Sequence, residues 1–147
     1  MSIRDARLED LPVILEIEEK TFSTPWKMQG FEDAYCDDRA IFLVNEVEGH
    51  IASYGIMYVA ADEAELPDIA CAPEYRRRGL AEELLRELID RSAKAGARRF
   101  FLEVRQSNVG AQNMYAKIGF DQVGIRPGFY RNPDEDAYVM SLDLDNI

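Results

Sequence analysis

The sequence predicts a mixed α/β (α+β) fold, on three observations. Short β-rich runs come first and are joined by a hairpin signal at Glu48-Gly49. A leucine-striped helical segment follows Gly79. Beyond it, Phe100-Phe101-Leu102-Glu103-Val104 is an apolar run of strand length, followed by a short helix and two more strands. Strands paired by hairpins and then separated by helices describe one sheet with helices packed on it.

Each element has a local cause. Residues 2–6 read as a short strand, and Asp10 as the N-cap of a helix over 11–20, with Pro12 tolerated in its first turn. Leu11, Ile14, Leu15 and Glu18 follow one face of that helix. Phe22-Ser23-Thr24-Pro25-Trp26 breaks it before a second helix over 27–36. Strands are expected over 40–45, 50–59 and 64–71, the last ending at Ala72-Pro73. The helix after Gly79 runs to about residue 95, where Gly96 is its stop signal. Its stripe is Leu80, Leu84, Leu85, Leu88 and Ile89, and Glu82/Arg86, Glu87/Arg91 and Asp90/Lys94 are i,i+4 pairs in the favourable orientation. The run 100–104 reads as a strand covered on both faces. Ser107 or Asn108 caps a helix ending near Gly119, and strands follow over 120–124 and 136–143.

With 147 residues, 47% of them apolar, the chain suits one folded domain over 1–147. No apolar run approaches a membrane span, and Met1-Ser2-Ile3-Arg4-Asp5 lacks the apolar core of a signal peptide. Cys36 and Cys71 stand apart from any metal-ligand spacing, so free thiols in the cytoplasm are expected. The net charge of −11 is uneven: residues 1–75 hold 17 acids and 5 bases, whereas residues 76–147 hold 11 acids and 12 bases. An acidic chain is a poor general binder of nucleic acid, because that affinity rests on neutralising phosphates. A basic partner for the acidic half and a small anion for Arg76-Arg77-Arg78 fit better.

The junction strand–Arg76-Arg77-Arg78-Gly79-Leu80-Ala81–helix can cradle a phosphate. A helix N-terminus offers unpaired N–H groups and partial positive charge, and Gly79 and Ala81 allow close approach. The alternative is a glycine turn beside solvated arginines. Neither G-x-G-x-x-G nor Gly-Lys-Ser/Thr is present. Arg76-x-x-Gly79-x-Ala81 resembles the Q/R-x-x-G-x-G/A pyrophosphate loop of the GNAT N-acetyltransferases. The resemblance implies their fold, a mostly antiparallel central sheet with helices on both faces, and acetyl-coenzyme A as co-substrate. It implies that the backbone of Ile69, Ala70 and Cys71 meets the pantetheine arm. The amides of Arg77, Arg78, Gly79, Leu80, Ala81 and Glu82 would then hold the pyrophosphate. Ala81 stands where many members carry glycine, and Glu82 where a basic residue is common, so Glu82 is expected to act through its backbone.

Glu103 ends its strand, and Asn108 and Tyr115 lie seven residues apart on the next helix, hence on one face within about 20°. Acetyl transfer from a thioester to an amine uses such a set. A carboxylate accepts the amine proton, directly or through water, a phenol can protonate the leaving thiolate, and a backbone N–H can stabilise the oxyanion. Each residue also has a plainer reading: a solvated strand end, a core tyrosine, an N-cap. Leu102-Glu103-Val104-Arg105-x-Ser107-Asn108, with Ala111, Met114-Tyr115 and Gly119-Phe120, resembles the core of RimI-type ribosomal-protein alanine acetyltransferases. Pro25-Trp26 and Phe129-Tyr130 extend the likeness over nearly the whole chain. It implies Glu103 as proton acceptor, Tyr115 as proton donor, Asn108 in contact with coenzyme A, and Trp26 and Tyr130 on the acceptor side. The implied acceptor is the N-terminal alanine of a basic small-subunit ribosomal protein. Phe129 replaces the first tyrosine of a Tyr-Tyr pair common in relatives, leaving Tyr130 the only hydroxyl there.

Lysine or small-amine acetyltransferases, and a non-catalytic coenzyme A sensor, share this scaffold. An N-terminal amine, with pKa near 7.7–8.0, is far easier to deprotonate than lysine near 10.4. That difference of about 2.5 units, ~3.5 kcal/mol, makes one glutamate base adequate for an N-terminus. Cys71 has no histidine beside it in sequence and reads as a plain strand residue. With one histidine and no paired cysteines, no metal site is expected. Trp26 either lines a peptide groove or fills the corner between the first two helices.

Overall fold

The computed structural model describes residues 2–146. Seven strands form one sheet in the order β1-β2-β3-β4-β5-β7-β6. They are β1 Ser2–Asp5, β2 Ala40–Val47, β3 His50–Ala60, β4 Glu63–Cys71, β5 Arg99–Arg105, β6 Asp121–Tyr130 and β7 Glu135–Asp143. Every neighbouring pair is antiparallel except β4 and β5. The helices are α1 Leu11–Thr21, α2 Met28–Cys36, α3 Leu80–Lys94 and α4 Val109–Ile118. Glu48 and Gly49 both take positive φ, as a two-residue hairpin requires, and join β2 to β3.

Two cores lie on opposite faces of the sheet. On one face α1 and α2 enclose Leu11, Ile14, Phe31, Tyr54, Ile56 and Ala70. Phe31 centres an aromatic cluster there, with Trp26, Phe42 and Tyr54 at ring separations of 5.2, 6.2 and 5.9 Å. On the other face Leu84, Leu85 and Leu88 of α3 pack against Met57, Phe100 and Leu102, with Tyr115 of α4 beside them. A Cβ on Gly55 would stand 2.7 Å from Leu88 Cδ1, so glycine lets α3 lie close to β3. The three i,i+4 pairs of α3 all form, at 3.2, 2.9 and 3.0 Å.

Two features of the sheet position the site. The parallel pairing of β4 with β5 covers only Glu63–Leu66 against Arg99–Leu102. Past Leu66 and Leu102, no strand among the described residues pairs with that edge of β4. Between β3 and β4 the register also slips: Ile56 faces Asp68 and Tyr58 faces Glu65, so Leu66 and Pro67 both stand opposite Met57. This bulge reverses the alternation of β4. Ala64 and Leu66 face the α3 core, whereas Asp68 and Ala70 turn towards α1 and α2.

Three expectations are corrected. Asp10 does not cap α1: its backbone is already helical (φ −78°, ψ −23°) and ends a 3-10 turn, Leu8–Asp10, that runs into the helix. Its carboxylate instead takes Arg4 at 2.8 and 3.1 Å and the Arg7 N–H at 2.7 Å, because a nearly buried charge needs a cation more than the helix needs a cap. β5 is not covered on both faces. Phe100, Leu102 and Val104 are buried, but Phe101 and Glu103 are half-exposed, since α1 and α2 pack over β2, β3 and β4. β6 continues six residues past Gly124 to Tyr130, through Pro127 and Gly128. It is an edge strand, where a missing N–H is tolerated, and its register slip absorbs the break.

Candidate active site

The loop entering α3 is shaped by two left-handed residues, Arg77 (φ 67°) and Gly79 (φ 75°). Left-handed residues in a turn present successive backbone N–H groups to one concavity, a nest for an anion, here at the N-terminus of α3. A Cβ on Gly79 would meet nothing within 4 Å, so the space in front of it is open. The three arginines do not act alike. Arg76 is tied back to the Cys71 carbonyl at 3.2 Å and Thr21 Oγ1 at 3.3 Å, whereas Arg78 lies over the Tyr75 ring at 5.3 Å. Leu80 is buried in the α3 core, so of Leu80 only the backbone faces the loop. The Glu82 carboxylate is held by Lys117 at 3.1 Å and Arg86 at 3.2 Å, which leaves only its amide for a ligand.

Where β4 leaves β5, the backbone of Ile69, Ala70 and Cys71 forms the open edge. Side chains from several elements surround this point. Glu103, near the end of β5, is half-buried, with Arg126 Nε of β6 3.3 Å from its Oε1. Burial pushes its pKa up, the negative Glu65 adds to that, and Arg126 opposes it. Tyr115 is 6% exposed and meets Phe120 edge-on at 5.9 Å. Burial, then Tyr130 and Asp68, raises its pKa, so it keeps its proton. Tyr130 sits between Glu103 and Tyr115 electrostatically. Its own pKa is pushed up to about 12, by burial first and then by the Glu103 charge. The structure thus groups Glu103, Tyr130 and Tyr115.

Asn108 is exposed at the start of α4 and accepts the Ala111 N–H at 3.2 Å, so its resting role is the N-cap. Trp26 fills the corner of α1 and α2, against Phe31 and above Gly30, with part of its surface exposed. Cys71 is half-buried, and burial raises its thiol pKa, the wrong direction for a nucleophile. Among the described residues no three His, Cys, Asp or Glu side chains are grouped to hold a metal ion.

Sequence reasoning missed two groups. Arg105 stacks 4.5 Å over Tyr130 and binds Glu135, Ser23 Oγ and the carbonyls of Arg131 and Pro133. It thereby pins the β6–β7 turn beside the loop after α1, and its place one residue beyond Phe100–Val104 gave no hint of that. Glu18, Tyr54 and Asp68 form a buried polar cluster under α1. Pro67 inside a strand signals the bulge that turns Asp68 inward.

Residues 11–120 match the Acetyltransferase (GNAT) family. The chain is 35% identical over 145 residues to the [ribosomal protein bS18]-alanine N-acetyltransferase of Escherichia coli K12, covering 97% of each. It is 39% identical over 144 residues to a Bacillus subtilis protein provisionally named for the same reaction, covering 97% of this chain and 95% of that one. The crystal structure of the Escherichia coli enzyme superposes with a TM-score of 0.90 at 34% identity, covering 97% of this chain and 93% of that one.

Proposed function

This chain belongs to the acetyltransferase (GNAT) family, and from that premise we propose that it acetylates the N-terminal alanine of a ribosomal protein, the small-subunit protein eighteen, from acetyl-coenzyme A. The observation that carries the reading is the grouping of Glu103, Tyr130 and Tyr115 at the point where β4 parts from β5. The open backbone edge of Ile69 to Cys71 suits the pantetheine arm, which can pair with it as a strand would. The nest at Arg77 to Glu82 suits the pyrophosphate. The co-substrate supplies the activated acetyl group.

The residues of the chain do the rest by direct transfer in a ternary complex. Glu103, whose raised pKa brings it closer to that of the amine, accepts the amine proton, directly or through water. A backbone N–H at the splayed end of β4 donates to the carbonyl oxygen as it becomes negative. Tyr115 keeps its proton until the thiolate leaves and then donates to it. Tyr130, whose raised pKa keeps it neutral, would hydrogen-bond the acceptor end, and Trp26, partly exposed between α1 and α2, would line the acceptor side. Asn108, exposed at the cap of α4, would contact coenzyme A. The acidic first half of the chain attracts a basic peptide. Such an acceptor implies a cytoplasmic enzyme, and among the described residues no helix is long and apolar enough to cross a membrane.

The test is mass spectrometry of peptides incubated with the protein and acetyl-coenzyme A. A peptide beginning with alanine and continuing with basic residues should gain one acetyl group on its N-terminus, faster than an acidic counterpart and less so as salt rises. Acetylation only of internal lysines, or equal rates for both peptides, would contradict the acceptor assignment.

A further inference from the structure

Glu18 of α1 and Asp68 of β4 are 1% and 6% exposed. Tyr54 donates its hydroxyl to Glu18 Oε1 at 2.6 Å, and the Trp26 N–H donates to Oε2 at 3.0 Å. Asp68 stands beside Glu18 in this cluster, and its Oδ2, shut away from solvent, meets no N–H or O–H donor. A carboxylate only accepts, so two carboxyl groups bond to each other only if one carries a proton. Apart from the Ile69 backbone N–H of its own strand, which favours the charged form, the groups facing Asp68 are Glu18 from α1, Tyr54 from β3 and Tyr115 from α4, each acidic or phenolic. Two ionised carboxylates here would repel in a dry interior. The cluster also spans the site: Tyr54 anchors it to the sheet, Asp68 lies where β4 turns from β5, and Trp26 belongs to the loop after α1.

We propose that Glu18 and Asp68 share one proton and act as a positioning pair for acetyl transfer, fixing the Pro25-Trp26 backbone that walls the acceptor side. With the proton in place, the Glu18 carboxylate has three donors: Tyr54, the Trp26 N–H and Asp68. Loss of that proton at alkaline pH removes one donor and sets the two charges against each other. The Trp26 N–H bond then loosens and the acceptor wall moves, while the nest at residues 76–82 is untouched. This inference rests on the acetyl-transfer reading for its effect on the peptide, but not for the shared proton itself.

Trp26 is the only tryptophan and reports on the pair directly. Its emission should titrate with alkaline pH in the wild-type protein. Asp68→Asn keeps a donor to Glu18 without a titrating proton, and should abolish that transition. Tyrosine ionisation, which also quenches emission, would appear in both proteins. In the wild type the peptide KM should rise about tenfold per pH unit above the second ionisation, if only the protonated pair holds the wall. In Asp68→Asn the peptide KM should stay flat, and the KM for acetyl-coenzyme A should be unmoved in both. Glu18→Gln, which loses the carboxylate that holds the Trp26 N–H, should raise the peptide KM even at neutral pH. Identical pH profiles of emission and peptide KM in wild type and Asp68→Asn would overturn the proposal. An emission transition abolished by Asp68→Asn, in a protein that acetylates no peptide, would uphold the shared proton and refute the acceptor reading instead.

Discussion

Substituting Gly79 separates two roles that the sequence alone leaves combined: a helix-entry turn and a ligand cradle. Gly79 is the N-cap of α3 at φ 75°, ψ 12°, a conformation that costs an L-residue about 1–2 kcal/mol. Gly79→Ala should therefore lose roughly 1 kcal/mol of stability, about 3 °C in melting temperature for a chain of this size. Valine should lose more, because a β-branched side chain fits the left-handed region poorly. That loss is conformational, since the added Cβ meets nothing within 4 Å in the free protein. If the open space receives a pyrophosphate, Gly79→Val should also weaken acetyl-coenzyme A binding at least tenfold, about 1.4 kcal/mol. Calorimetric titration measures affinity, and thermal unfolding confirms that the variant is folded at the titration temperature. A folded Gly79→Val protein with wild-type affinity would refute the cradle and leave Gly79 as a turn residue only.

Two further substitutions test the electrostatics. Arg126→Gln removes the cation beside Glu103 that lowers its pKa, so the acid limb of kcat/KM should move to higher pH; an unmoved limb would show that this limb does not report Glu103. Arg4→Ala leaves Asp10 nearly buried without its ion-pair partner, and should cost roughly 3 kcal/mol near pH 7 by denaturant unfolding. Hydrogen bonds from Arg4 and Arg7 hold the Asp10 pKa below its ordinary value despite burial. The stability this supplies is present above the unfolded pKa and lost as pH falls through the folded one. The gap between wild type and Arg4→Ala should accordingly close in acid, and a gap constant down to pH 2 would contradict the assignment.

What the sequence made legible was what it encodes locally. The α3 stripe, the hairpin at Glu48-Gly49 and the Asn108 cap each depend on residues within one or two turns, and each stands as read. The loop at residues 76–82 was legible as a strand–glycine–helix junction, although nothing in the arginine triplet foretold that Arg76 turns back to Cys71. Non-local pairing was not legible. Asp10 before a helix reads as a cap until Arg4, brought in by β1, claims it. Glu18 and Asp68 lie fifty residues apart, and β4 reads as a simple alternating strand unless Pro67 is taken as the mark of a bulge. β6 looks finished at Gly124 because its edge position, which excuses Pro127, is set by the sheet order and not by its own residues.

The most direct test of the proposed mechanism is a pH–rate series on Glu103→Gln, Tyr115→Phe and Cys71→Ala, with intact-protein mass spectrometry for a trapped acetyl group. Glu103→Gln should bind acetyl-coenzyme A normally and lose about 10²–10⁴ in rate, most at low pH, where little of the amine is already neutral. Tyr115→Phe should slow turnover without recovery at high pH, because it acts on the leaving thiolate. Cys71→Ala should keep substantial activity, with no acetylated enzyme seen in any of the proteins. A Glu103→Gln enzyme fully active across the pH range, or an acetyl adduct on Cys71, would contradict direct transfer governed by Glu103 and Tyr115.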